Sequence, residues 1–156
     1  MKRNIIQFLS IPLFLLCFLG TAIAGEIATQ EECVAKCKAA ADMVKEKGLE
    51  ATLAVINDKN GPFVWKDTYV FCIDIDRQAN IAHPITPKLI GKNLMGAKDA
   101  NGKLFFAEFI NVASTAGSGW VEYMWPKPGE KSPSPKSTYV YKVSDHNVFM
   151  AAGIYK

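Results

Sequence analysis

"GSGWVEYMWPKPGEKSPSPKSTYVYKV", Gly117 to Val143, sets two tryptophans and three tyrosines on two runs flanking a proline-rich turn. Both runs are rich in β-branched and aromatic residues, which predicts a pair of strands joined as a hairpin. Side chains alternate faces along a strand. Val121, Tyr123 and Trp125 therefore share one side of the first run, and Trp120, Glu122 and Met124 the other. Tyr139 and Tyr141 share a face of the second run, with Val140 and Lys142 behind them. The connecting "PKPGEKSPSPK" is the one biased segment, a loop stiffened by prolines that places Lys136 just before the second strand.

The pattern extends outward in both directions. After a short "SDHN" turn, "VFMAAGIY" reads as a third strand. Before the hairpin, "LFFAEFINVAST" (Leu104 to Thr115) carries Phe105, Phe109 and Val112 at helical spacing and stops at Gly117. "ITPKLIGKNLMGAKDANGK" is loop-like, broken by Pro87, Gly91, Gly96 and Asn101-Gly102. "TYVFCIDID" (Thr68 to Asp76) is a strand that turns through "RQAN" into "IAHP".

Further back, Thr29-Gln30-Glu31-Glu32 has the form of a helix-opening capping box. Val34, Cys37, Ala41, Val44 and Gly48 then keep a three-four apolar spacing, and Leu49 to Ile56 forms a second helical piece ended by "NDKNGP". Helices first, then five strands with a helix-and-loop insertion after the second, predicts an α+β domain on an antiparallel sheet.

The N-terminus gives an address. Lys2 and Arg3 precede an apolar stretch from Ile5 to Leu19, and Ala22-Ile23-Ala24 supplies the small residues a signal peptidase reads. Residues 1–24 are thus expected to be a cleaved export signal, leaving a periplasmic or secreted chain. The apolar run falls short of the ~20 residues that span a bilayer. Cleavage leaves 132 of the 156 residues, enough for one domain, and removes Lys2 and Arg3, lowering the net charge from +3 to +1. The remaining bases are interspersed with acids, which excludes the concentrated positive face a nucleic-acid partner requires.

Cleavage also leaves Cys33, Cys37 and Cys72. In an oxidising compartment, one bridge from either helix cysteine to Cys72 and one spare thiol is the default expectation. Haem attachment needs Cys-x-x-Cys-His, which is lacking, and a zinc site would have to recruit His83 or His146. No metal or other cofactor is expected. Enzymatic motifs are also missing: no Gly-x-Ser-x-Gly elbow, Walker loop or His-Glu-x-x-His occurs, and Asp74 and Asp76 read as a solvated rim beside a turn. The chain reads as a non-enzyme.

Several stretches together resemble the bacterial single Cache domain, an extracellular sensor module related to PAS folds. They are "NDKNGPFVWKDTYVFCIDID", "AHPITPKLIGKNL", "KDANGKLFFAEF", "GSGWVEYMWPKPGE", "PKSTYVYKV" and "AAGIY", in the family's order from about Thr29 to Tyr155. The resemblance implies residues 25–156 as one Cache domain, with the long helix on one face of a five- to six-stranded sheet and a small-molecule pocket on the other, under the insertion. Signalling members of the family lie between two membrane helices. A signal followed by a chain ending at Lys156 is closer to the free-standing periplasmic versions.

A pocket for a small organic anion needs apolar walls, fixed donors and a countercharge. Tyr123, Trp125 and Tyr139 match family positions associated with the pocket, and tyrosine and tryptophan combine wall and donor in one side chain. Lys136 is the candidate countercharge and His83 a further donor. The expected function is reversible binding of a short carboxylate such as acetate, propionate, lactate or pyruvate, with a membrane receptor or kinase reading the loaded form. The competing expectation is an exported interaction or redox module whose pocket is vestigial.

Overall fold

The computed structural model describes residues 26–156. The export-signal reading of residues 1–24 lies outside them. The chain opens with α1 (Gln30–Lys47) and α2 (Leu49–Asn57). β1 (Val64–Trp65), β2 (Thr68–Asp74) and β3 (Ala79–Ala82) follow, then a 3-10 turn at Pro87–Leu89 and α3 (Phe105–Thr115). β4 (Ser118–Pro126), β5 (Pro133–Lys142) and β6 (Val148–Tyr155) complete it.

The local signals act as expected at the helix ends. Thr29 Oγ1 accepts from the Glu32 amide at 3.2 Å, and Glu32 Oε2 accepts from the Thr29 amide at 2.9 Å, closing the capping box. Gly48, at φ 85°, separates α1 from α2 in a conformation that side chains resist.

All strand pairs are antiparallel, in the order β1-β2-β6-β5-β4, with β3 sharing the outer edge of β2. The two-residue β1 brings the sheet to six strands, within the five to six expected. Alternation along β2 divides the core. Val70 and Cys72 pack under α1 and α2 with Cys37, Val44 and Ile56. Tyr69, Phe71 and Ile73 face the other way, onto Phe105, Phe106 and Phe109 of α3. One helix layer therefore lies on each sheet face, and α3 covers the site.

The structure corrects two expectations here. Nearly half of the proline-rich segment is strand: β4 runs to Pro126 and β5 begins at Pro133, so Lys136 lies inside β5. Proline is tolerated because its missing N–H is not needed. Met124, opposite Pro135, donates instead to Asp99 Oδ2 at 2.8 Å, and the Pro135 carbonyl accepts from the Lys156 amide at 2.9 Å. The second correction concerns the bridge to Cys72. Cys33, Cys37 and Cys72 are free thiols buried in the α1 layer. Burial pushes the Cys33 thiol up to about 12 and raises Cys37 and Cys72 as well, so all three serve as small core residues.

Gly153 marks the closest approach found at any glycine of the described residues. A Cβ there would lie 2.6 Å from the Ser137 carbonyl oxygen and closer still to Thr138 Oγ1, between two central strands. Gly153→Ala is expected to destabilise the domain by about 3 kcal/mol, read as a lower denaturation midpoint in urea.

Candidate functional site

The sheet face under α3 supplies the walls of a small cavity. Tyr69, Phe71 and Ile73 come from β2, Asn80 from β3, and His83 from the residue after β3. α3 contributes Phe105, Phe106 and Phe109, β4 contributes Tyr123 and Trp125, and Leu89 and Leu94 close the insertion side. The rings hold one another in place. Phe105 stacks on Tyr123 at 4.8 Å and 6°, and lies 5.5 Å from Trp125. The cavity is about 20 Å³, more than the roughly 10–15 Å³ that one water requires. It suits a very small guest.

His83 is fixed from two sides. Its amide donates to Asn57 Oδ1 at 2.9 Å, and the Thr86 amide donates to His83 Nδ1 at 3.0 Å. An acceptor at Nδ1 leaves the proton on Nε2. Burial, with the nearby Lys136 charge adding to it, lowers the imidazole pKa to about 3. His83 is therefore a neutral donor, stacked 5.6 Å from Phe71 at 24°.

Lys136 is the unusual member. It is 1% exposed, and its Nζ has no hydrogen-bond partner. The ammonium sits 4.4 Å from the Tyr69 ring centroid, 4.6 Å from Tyr155 and 6.0 Å from Phe71. It lies behind the Tyr69 and Phe71 rings that form the cavity wall. Burial brings its pKa down to about 7, and the neighbouring Cys33 and Asp67 offset only part of that. The magnitudes decide what the arrangement lacks. A desolvated cation–π contact contributes about 2 kcal/mol, whereas burying an ion costs several kcal/mol unless it is well paired. Two or three rings leave the charge under-compensated. An anion would complete it.

Other polar groups are committed or turned inward. Tyr123 Oη accepts from Thr138 Oγ1 at 3.2 Å, and Tyr155 Oη donates to the Pro126 carbonyl at 2.8 Å. Burial pushes the Tyr69 hydroxyl up to about 12 and raises Tyr123 and Tyr155 too, so all three stay protonated.

The structure thus gathers His83, Tyr123, Trp125 and Lys136 around one face. Tyr139 is elsewhere. It pairs with Trp120 across the β4–β5 ladder, lies 5.3 Å from that ring, and belongs to the core under α1. The sheet stands between it and the cavity, because Lys136 is the partner of Tyr123 and an odd offset separates Lys136 from Tyr139. Tyr69, Asn80 and Phe105 also line the cavity and the Tyr155 ring lies against Lys136, none of which the sequence reading singled out for the pocket. The available signal was alternation in "TYVFCID", which puts Tyr69 with Phe71 and Ile73.

A six-stranded antiparallel sheet, backed by a long N-terminal helix and enclosing an aromatic pocket on its other face, defines a PAS-like sensory domain. The chain belongs to the Cache domain family, whose model (dCache_2) matches residues 40–156. It is 32% identical over 89 residues to the methyl-accepting chemotaxis protein McpP of Pseudomonas putida. That match covers 57% of this chain and 16% of the receptor, so the chain spans about a sixth of its relative's length.

Among solved structures, a periplasmic sensor domain of a chemotaxis protein is 27% identical with a TM-score of 0.64, over 80% of this chain and 88% of the other. A Cache chemosensory domain described for carboxylic acid recognition is 31% identical, TM-score 0.62, over 76% and 78%. A methyl-accepting chemotaxis protein from Vibrio parahaemolyticus is 25% identical, TM-score 0.66, over 80% and 86%.

Proposed function

We propose that this Cache domain is a periplasmic binding module that reversibly captures a short monocarboxylate and presents the loaded state to a membrane receptor or kinase. The observation that carries the reading is the buried Lys136 ammonium, without an acceptor, against the wall of a cavity with no carboxylate in its lining. The His83 Nε2–H points the same way, since a neutral donor in an apolar pocket favours an anion. The carboxylic acid recognition described for a similar Cache domain supports it. A single buried cation favours a monoacid over a diacid. The export signal read in residues 1–24 agrees with a periplasmic site of action. The redox alternative has less behind it, because the three thiols are buried and their pKa values are raised.

Refolded ligand-free protein, titrated with acetate, propionate, lactate and pyruvate in a thermal-shift series, tests the reading. A true ligand at 100 times its Kd is expected to add about 2.7 kcal/mol. A flat response to all four acids overturns it.

A further inference from the structure

α3 and β4 run back along one another as a hairpin. They are joined through Gly117, and beside that join Val112 packs so closely on Gly119 that a Cβ there would lie 3.0 Å from Val112 Cγ1. The other end is open. There Phe105 of α3 stacks on Tyr123 and meets Trp125 of β4, and all three line the cavity. α3 opens without a cap of its own, since Leu104 at the N-cap position makes no side-chain hydrogen bond.

Asp99 closes the open end. Its Oδ1 accepts from the amides of Asn101 at 2.9 Å and Lys103 at 2.8 Å, so the turn leading into α3 is built around that oxygen. Its Oδ2 accepts from the Met124 amide at 2.8 Å, on β4 between Tyr123 and Trp125. Lys103 adds a strap beside it. Its Nζ donates to the Glu122 carbonyl at 2.6 Å and pairs with Glu108 of α3 at 2.7 Å. Desolvation pushes the Asp99 carboxyl up, but the Met124, Lys103 and Asn101 amides pull it lower and leave it below its ordinary value. Both oxygens are therefore acceptors.

We infer that Asp99 is a positioning residue of the pocket: by tying the entry of α3 to β4 it holds Phe105 against Tyr123 and Trp125, and so sets the shape of a cavity that it does not itself line. The inference rests on the binding reading above for its effect on affinity, and on the structure alone for its effect on the rings. Asparagine separates this role from plain turn formation. Forming the turn needs one acceptor oxygen, whereas the tie needs two. In Asp99→Asn the amide oxygen can still serve Asn101 and Lys103, but the NH2 then faces the Met124 N–H, donor against donor.

The test reads the nuclear Overhauser contact between the Phe105 and Tyr123 rings, together with calorimetric titration of acetate, propionate, lactate and pyruvate. In Asp99→Asn the ring contact is expected to be lost, and the affinity for every acid that binds the wild type to fall about fivefold. Circular dichroism checks the fold. Should that variant fail to fold, Met124→Pro removes the same bond from the strand side, at an edge amide that faces away from β5, where proline is tolerated. Thr29→Ala, which loses the α1 cap on the opposite sheet face, sets the background: it is expected to lower stability and leave both readouts unchanged. An unchanged ring contact in folded Asp99→Asn overturns the inference, as does unchanged affinity once the rings have moved. An equal loss of affinity in Thr29→Ala overturns it too, since the effect would then be one of general stability. Failure of every acid to bind the wild type overturns the carboxylate reading alone, and the ring contact then decides the role of Asp99.

Discussion

Lys136→Met is expected to raise the melting temperature of the ligand-free protein and at the same time abolish its response to carboxylates. The two effects share one cause. The ammonium is removed from water with no acceptor, and the Tyr69 and Tyr155 rings at 4.4 and 4.6 Å return only part of its hydration energy. Methionine keeps the length and the flexibility of the stem and carries no charge. Replacing poorly compensated buried ions by apolar side chains is neutral to stabilising by about 1–4 kcal/mol, or several degrees for a domain of this size.

The proposed ligand loses its countercharge in the same stroke. Truncating one partner of a buried charge pair costs about 2–5 kcal/mol, which weakens binding by at least about 30-fold. Differential scanning fluorimetry with and without acid measures both effects. A variant that melts lower, or that still shifts with acid, would show that Lys136 supports the fold rather than the ligand.

What the sequence disclosed and what it hid are separated by register. Period-two alternation in residues 120–125 correctly set Tyr123 and Trp125 against Trp120, because facing along one strand is a local property. The capping box at Thr29 and the helix over Phe105 to Thr115 were legible for the same reason. Deciding whether Lys136 or Tyr139 joins Tyr123 requires the pairing of two strands, and pairing depends on the length of the turn between them.

Four prolines between Pro126 and Pro135 made that turn look longer than it is. The ladder in fact continues to Pro126 opposite Pro133, which brings Lys136 beside Tyr123 and sends Tyr139 under α1. The cysteines misled differently. The expectation of export argued for a bridge, but one face of α1 and one face of β2 bury all three thiols as ordinary core residues. Asn80 left no mark at all, since a lone asparagine after a turn is commonplace and only its burial without a partner sets it apart.

Carboxylate affinity is expected to fall about tenfold for each pH unit above about 7. In the empty site burial holds Lys136 at a pKa of about 7, well below its usual value of 10.5. Between those two values the unfolded chain carries a proton on this lysine that the folded chain lacks. The Lys136 contribution to stability therefore rises with pH across that window, and below about 7 its cost is constant. A bound carboxylate reverses the preference. It favours the ammonium, raises the folded pKa, and must bring a proton with it whenever the empty site is neutral.

The neighbouring groups do not blur the effect. His83, lowered to about 3 by burial, stays neutral across this range, while Tyr69 and Cys33, each pushed up to about 12, keep their protons. Asp67 is the remaining charged neighbour. The free acid sets the other limit, since protonating it below about pH 4 removes the anion. Binding should thus be tightest between about pH 5 and 7. Titration calorimetry at pH 8 in two buffers of different ionisation enthalpy measures the coupling directly, with an uptake approaching one proton per ligand expected. A Kd that does not change from pH 6 to 9 would mean that Lys136 is charged in the empty site, and that the rings alone suffice to hold it so.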